Sequence, residues 1–192
     1  MFFLIFASIC FEIKYSSSIQ LKNQYTFTRL STTVNNAAQA HLIPKIFASG
    51  PPFEDGWNWI PEPSNSDSSM ARTSIKCGSN ISLFSSVSQY FLSIRKQEGE
   101  LEIFPSTSND DSRSYWTVIC EKGENWENNL EIQLKNVKYE CYLSTFLSDL
   151  YEETENQFYA KCSPLSPNAV WVVNDGVFIL DSKVENTHDE EL

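Results

Sequence analysis

Histidine is nearly missing from this chain: among 192 residues there are two, His41 and His188. A catalytic triad or a multi-histidine metal site would have to rest on His41 alone, which sets aside most hydrolase triads and zinc enzymes. Positive charge is scarce as well. Lys and Arg number 14 against 25 Asp and Glu, a formal net charge of -11. Neither a basic footprint for nucleic acid nor attraction to an anionic membrane surface is therefore expected. No Cys-x-x-Cys occurs, so a thioredoxin-type redox motif and a zinc ribbon are not written here. Past the first eleven residues no apolar run approaches a membrane span, and no segment keeps a helical period. What is present fits one folded domain: 41% hydrophobic, 20% charged, and 14% aromatic residues that suit a β-rich core.

The two ends point to a compartment. Residues 2 to 11 read Phe-Phe-Leu-Ile-Phe-Ala-Ser-Ile-Cys-Phe, an apolar run that fits the core of a secretory signal peptide and is too short to span a bilayer. It carries no Lys or Arg before it, and a buried first strand is the alternative reading. Cleavage is expected between Cys10 and Ser18, with a leader over 1–17, a folded domain over 18–183 and an acidic tail over 184–192. The tail ends His188-Asp189-Glu190-Glu191-Leu192. It resembles endoplasmic-reticulum retrieval tails ending in Lys-Asp-Glu-Leu or His-Asp-Glu-Leu, but has one more acidic residue between the base and the final Leu. The expected location is the lumen of the endoplasmic reticulum, or outside the cell where the altered tail is not recognised.

A threefold repeat fills the middle. Ile19-Gln20-Leu21, Ile81-Ser82-Leu83 and Ile132-Gln133-Leu134 alternate apolar and polar, as a half-buried strand does. Eleven residues after each first Ile stands a Leu-Ser pair: Leu30-Ser31, Leu92-Ser93 and Leu143-Ser144. Each copy closes on a tryptophan, read as Trp57, Trp116 and Trp171. In the third copy strands are expected over 130–137, 140–146, 156–162 and 170–173. Turn residues separate strands at 98–100, 163–167 and Asn174-Asp175-Gly176. Three copies of about four strands, over 18–63, 75–121 and 128–180, are too few for a propeller and lack the caps of a solenoid. A closed all-β barrel capped by hairpins, a β-trefoil, fits the count.

Removing Cys10 with a leader leaves four cysteines. Cys77 opens copy two and Cys120 ends it, where first and last strands lie side by side. Cys141 and Cys162 sit on the second and third strands of copy three, facing each other across a hairpin. Two disulfides are the expectation in an oxidising compartment, each contributing about 3–4 kcal/mol by loop entropy; reduced buried thiols are the alternative.

Several stretches carry a family resemblance: Ile75-Lys76-Cys77-Gly78-Ser79-Asn80-Ile81-Ser82-Leu83, Tyr115-Trp116-Thr117-Val118-Ile119-Cys120, Trp126, Tyr142-Leu143-Ser144, and Trp171 with Gly176-Val177-Phe178-Ile179. They resemble the MIR motif and, among MIR proteins, the stromal cell-derived factor 2 family. The resemblance covers residues 17 to 192 and is thin in copy one. It implies a β-trefoil of three MIR-type repeats and a noncatalytic folding or quality-control role in the endoplasmic reticulum. The implied partners are a J-domain co-chaperone, the lumenal Hsp70 and client polypeptides. Two departures stand out. Where the family carries Leu-His-Ser-His, this chain has Leu30-Ser31-Thr32-Thr33 and Leu92-Ser93-Ile94-Arg95. The family's Gly-Gln-Gln/Glu segment is reduced to Ala38-Gln39-Ala40.

Candidate sites are few. The repeated tryptophans read as core fillers. Trp59 and Trp126 lack counterparts in every copy and are the candidates for an exposed aromatic contact with a sugar ring or an extended peptide. His41 reads as a loop histidine. Asp110, Asp111, Glu152, Glu153 and Glu155 read as solvated turns rather than paired glycosidase acids. Glu54-Asp55-Gly56 reads as turn chemistry rather than a calcium loop. Asn80-Ile81-Ser82 is a glycosylation sequon at a strand start. No catalytic residue, metal site or cofactor is expected, and no membrane span. The competing reading is a carbohydrate-binding, lectin-like trefoil, which calls for Asp and aromatic residues at matching places in the copies; they are not found.

Overall fold

The structure is a computed structural model of the chain and describes residues 10–33, 45–50, 56–64, 68–109, 111–147 and 157–179. Most of the expected leader, the 184–192 tail, His41, Asp110 and Glu152, Glu153 and Glu155 lie outside these residues, as do Glu54, Asp55 and Ala38-Gln39-Ala40.

Among the described residues the chain is all-β, with two short 3-10 turns at Ser68–Met70 and Pro167–Ala169. The strands are β1 (Ser18–Asn23), β2 (Arg29–Thr32), β3 (Ile46–Ser49), β4 (Asn58–Pro63), β5 (Asn80–Ser85), β6 (Tyr90–Gln97), β7 (Glu100–Ser106), β8 (Trp116–Cys120), β9 (Ile132–Asn136), β10 (Tyr142–Leu147), β11 (Gln157–Ser163) and β12 (Trp171–Val177). Six of them close on themselves, each pair antiparallel: β1–β4, β4–β5, β5–β8, β8–β9, β9–β12 and β12–β1. The other six form the hairpins β2–β3, β6–β7 and β10–β11. These lean on one another where β11 pairs with β3 and with β7. The arrangement is trefoil-like, and closure removes the barrel's sheet edges. Alternation does what the sequence pattern asks: in β1 the inward residues Ile19, Leu21 and Asn23 are buried while Ser18, Gln20 and Lys22 are partly exposed.

One expected turn is not a turn. Asn174-Asp175-Gly176 lies inside β12, where Gln20 pairs with Asp175 but Leu21 with Val173. Asn174 is therefore the extra residue of a bulge. Gly176 is required there: a Cβ on it would sit 2.3 Å from the Ser18 carbonyl oxygen.

The barrel is gathered by a ring that strand patterns do not reveal. Three short arms, 11–15, 73–77 and 124–128, precede β1, β5 and β9 and bond to one another in cyclic order. Ile13 N–H donates to the Trp126 carbonyl at 2.7 Å, Trp126 N–H to Ile75 at 2.8 Å, and Ile75 N–H to Ile13 at 2.9 Å. A second set repeats the cycle two residues out: Tyr15 N–H to Thr73, Cys77 N–H to Glu124, and Asn128 N–H to Phe11. Each arm then turns into its strand through an i→i+3 bond, Ser17 to Lys14, Ser79 to Lys76 and Leu130 to Glu127. The third turn residue is left-handed each time, at Ser16, Gly78 and Asn129. The barrel thus draws in the first arm, from near Phe11, and an arm from near residue 124 leads into its third copy.

This ring corrects the reading of two tryptophans. Trp126 is fully buried, because it occupies in its arm the place that Ile13 and Ile75 occupy in theirs. Trp59 is also fully buried, and it, not Trp57, is the partner of Trp116 and Trp171. The criterion is the indole N–H. Trp59 donates to the Leu30 carbonyl at 2.9 Å, Trp116 to Leu92 at 3.0 Å and Trp171 to Leu143 at 2.8 Å. Each copy therefore locks its closing strand to the carbonyl of its own Leu-Ser pair. Trp57 instead donates to the Ser49 hydroxyl and packs beneath the Arg29 guanidinium.

Replacing Trp126 by Ala empties the centre of the ring and is expected to cost about 3–5 kcal/mol, the range for large aromatic truncations in a core. Urea denaturation followed by tryptophan fluorescence and circular dichroism measures it; a loss under about 1 kcal/mol, typical of surface changes, would mean the residue is not packed as described.

Candidate functional site

The described residues hold no group of His, Cys, Asp and Glu able to bind a metal ion, and no helix among them is long and apolar enough to cross a membrane. Asp111 lies in a turn in which Arg113 answers it with its backbone N–H and with Nε, each at 2.6 Å. Burial works against ionisation of Asp111, but these bonds and the guanidinium charge prevail and hold its carboxyl below the ordinary value. Glu62, on β4, is the opposite case: burial raises its carboxyl.

The four cysteines are joined as two disulfides. Cys77–Cys120 ties the second arm to the end of β8 with Cα atoms 5.6 Å apart, and Cys141–Cys162 crosses the third hairpin at 5.4 Å. The sequence separations of 43 and 21 residues make each a substantial restraint on the unfolded chain. Cys10 is free and exposed.

Asn80 opens β5 and is exposed, its Oδ1 accepting the Thr117 hydroxyl at 2.7 Å. The hydroxyl residue of its sequon, Ser82, is fully buried and faces Asn109. A glycan on Asn80 would point outward, yet the sequon can be read by an enzyme only before β5 is in place.

With Trp59 and Trp126 inside, the two most exposed aromatic residues among those described are ones that sequence reasoning passed over, ahead of Tyr159 on β11. Tyr25 is 63% and Phe27 66% exposed, on the turn between β1 and β2. The turn is fixed rather than loose. Asn23 Oδ1 accepts the N–H groups of Tyr25 and Thr26 at 3.0 Å, Phe27 N–H returns to the Asn23 carbonyl, and Thr26 Oγ1 meets Thr145 Oγ1 of β10 at 3.1 Å. Phe27 is left-handed with φ of 59°, a conformation that costs a bulky side chain about 1–2 kcal/mol. The Lys22 ammonium stands 5.3 Å from its ring. The same turn in the other copies carries Val87 and Gln89, then Lys138 and Glu140. Gln89 and Glu140 are left-handed as well, so the conformation belongs to the turn; what copy one alone presents is a fixed pair of exposed rings beside a cation. Comparing the three turns position by position would have found it.

Ser31 and Ser93, which stand where the resembled family carries a histidine, are buried. Ser31 meets Ser49 at 2.8 Å, and in the third copy Ser144 makes the corresponding contact with Ser163 at 2.8 Å.

No protein-family model and no curated protein matches the sequence. Solved structures do match. The SDF2-like protein from Arabidopsis thaliana superposes with a TM-score of 0.73 over 90% of this chain and 100% of its own, at 19% identity. A Caenorhabditis elegans protein of unknown function gives 0.71, covering 86% of this chain and 97% of its own at 20% identity. The Saccharomyces cerevisiae protein O-mannosyltransferase Pmt1-Pmt2 complex, bound to the sugar donor, gives 0.72 over 90% of this chain and 26% of its own at 16% identity. What these share with the chain at such identities is the fold, which is β-trefoil-like.

Glu62 yields a pH test. A carboxyl raised by burial favours the fold in its protonated form. That contribution is full below the unfolded-state value and is lost as pH rises through the folded-state value. Glu62→Gln, always neutral, is expected to raise the melting temperature near about pH 7 and to leave it unchanged near about pH 3. Calorimetry at the two pH values checks it; a stabilisation equal at both would assign the effect to something other than ionisation.

Proposed function

We propose that this chain is a noncatalytic folding or quality-control factor of the endoplasmic-reticulum lumen, of the stromal cell-derived factor 2 type, with three MIR-type repeats. It would bind a J-domain co-chaperone, the lumenal Hsp70 and client polypeptides. The observation that carries the reading is the end-to-end likeness to the SDF2-like protein, 90% of one chain on 100% of the other. It agrees with the residues that resemble that family in copies two and three. Two disulfides fit an oxidising compartment, as do an apolar leader and a retrieval-like tail at 188–192. The scarcity of histidine favours binding over catalysis. Partners and clients would be met through the exposed turns of the trefoil, and the Tyr25–Phe27 turn is the first place to look: rigid aromatic rings give contact area at little loss of side-chain freedom.

A carbohydrate-binding role is the second reading. It is favoured by the same pair of exposed rings, since an aromatic face suits a sugar ring, and by the likeness to part of a mannosyltransferase. The rings occur in one copy, so one glycan site rather than three is implied.

Affinity capture of the full-length protein from its own cells, read by mass spectrometry, separates the readings. The wild type is expected to recover a J-domain protein and the lumenal Hsp70. A variant lacking residues 188–192 is expected to lose them and collect in the medium. Tyr25→Ala/Phe27→Ala is expected to keep the wild-type melting temperature and to recover partners at least tenfold less. Capture of neither chaperone, with binding on a glycan array that the double variant abolishes, would replace the first reading by the second.

A further inference from the structure

We infer that the chain is cut between Cys10 and Phe11, so that the mature protein begins at Phe11. The inference rests on the reading of residues 2–11 as a secretory leader, and it settles where that leader ends.

Small residues at the first and third positions before the cut are what a leader-removing peptidase reads. Between residues 10 and 18 two bonds offer them. Ser8-Ile9-Cys10 precedes Phe11, and Ser16-Ser17-Ser18 precedes Ile19. The sequence alone leaves both open, and the second lies directly before the first strand pattern.

The ring of arms distinguishes them. A cut after Ser18 removes the whole first arm. Ile13, Lys14, Tyr15 and Ser17 are all buried, and Ile13 and Tyr15 belong to the core cluster. Four of the six ring bonds go with that arm. The carbonyls of Trp126 and Thr73 and the N–H groups of Ile75 and Asn128 then lose these partners, and Trp126 and Ile75 lie in the core. Each backbone group left buried and unpaired costs about 1–3 kcal/mol, a large share of a small domain's stability.

Among the described residues a cut after Cys10 removes only Cys10 itself, which is exposed. Phe11 is the first residue of the arm; its carbonyl accepts Asn128 N–H and its ring stacks on Phe178 with centroids 6.0 Å apart. The next residue, Glu12, is already engaged by the Ser74 hydroxyl and by Asn125 Nδ2. In the step itself a lumenal endopeptidase directs water to the Cys10 carbonyl carbon. The Cys10–Phe11 C–N bond breaks, the water oxygen stays on the Cys10 carboxylate, and both water protons end on the Phe11 nitrogen, which becomes an ammonium. That nitrogen already donates to Asn128 Oδ1, and as an ammonium it remains a donor to the same oxygen. The one unpaired thiol among the described residues, Cys10, leaves with the leader, and every cysteine that remains is paired.

The test is the intact mass and N-terminal sequence of the untagged full-length protein expressed in secretory eukaryotic cells, with thiol blocking to count oxidised cysteines. A chain starting at Phe11 with four oxidised cysteines is expected. A chain starting at Ile19, or anywhere other than Phe11, with the cysteines oxidised overturns the inference and leaves the leader reading standing. A chain starting at Met1 with free thiols overturns the leader reading, and this inference with it. Two chains made directly, one starting at Phe11 and one at Ile19, give the physical half. The first is expected to melt cooperatively and the second not; equal melting temperatures would mean that the arm is dispensable and the argument from the ring wrong.

Discussion

The barrel depends on a cycle of backbone hydrogen bonds. A sheet that closes must satisfy every strand with two neighbours, and a threefold sheet must also fill the point where its copies meet. Here that point is occupied by three arms, each donating to one neighbour and accepting from the other. No arm is fully paired until both others are present. The first, from the N-terminus, and the third, more than a hundred residues later, must therefore assemble together. That adds a second long-range constraint to a barrel already closed by the distant strands β1 and β12.

Side chains follow from this geometry. The arm centres, Ile13, Ile75 and Trp126, are all apolar and all fully buried, yet one is far larger than the others. The centre is thus filled asymmetrically although the backbone around it is symmetric. Outward from the centre, each closing tryptophan joins hydrophobic volume to one hydrogen bond, indole to leucine carbonyl. The carbonyl is thereby paired where the second strand leaves the barrel, and burial of the indole does not leave its N–H unpaired. The disulfides reinforce the two later copies. Copy one, which has none, carries instead the fixed aromatic turn, and so differs from its siblings in what it presents to solvent.

The proposed role and the proposed maturation are linked by compartment. A leader removed at Phe11 delivers to the lumen a chain whose cysteines can all be paired, whose ring is intact and whose exposed rings lie on a turn the fold holds still. A binding protein needs little more than such a surface and a residence signal. The acidic net charge of -11 keeps the remaining surface soluble and discourages adventitious capture of nucleic acid.

Alternation of apolar and polar residues, the equal eleven-residue offsets to the Leu-Ser pairs and the placement of four cysteines were legible in the order of residues, because they depend on neighbours a few positions apart. From them come the strands, the barrel class and both disulfide pairings. Trp126 was legible in principle, six residues before Ile132 as Ile13 and Ile75 are before Ile19 and Ile81, but an arm without strand alternation gives no local signal. Trp59 was not legible. Linear spacing favoured Trp57, since loops of unequal length separate each tryptophan from its leucine, and only the carbonyl that accepts the indole proton tells the two apart. The exposure of Tyr25 and Phe27, the burial of Ser82 under the sequon and the place of the first arm in the barrel were likewise decided by tertiary structure. Each depends on which chain segments, distant in sequence, come to lie against the residue, and a one-dimensional pattern holds no record of them.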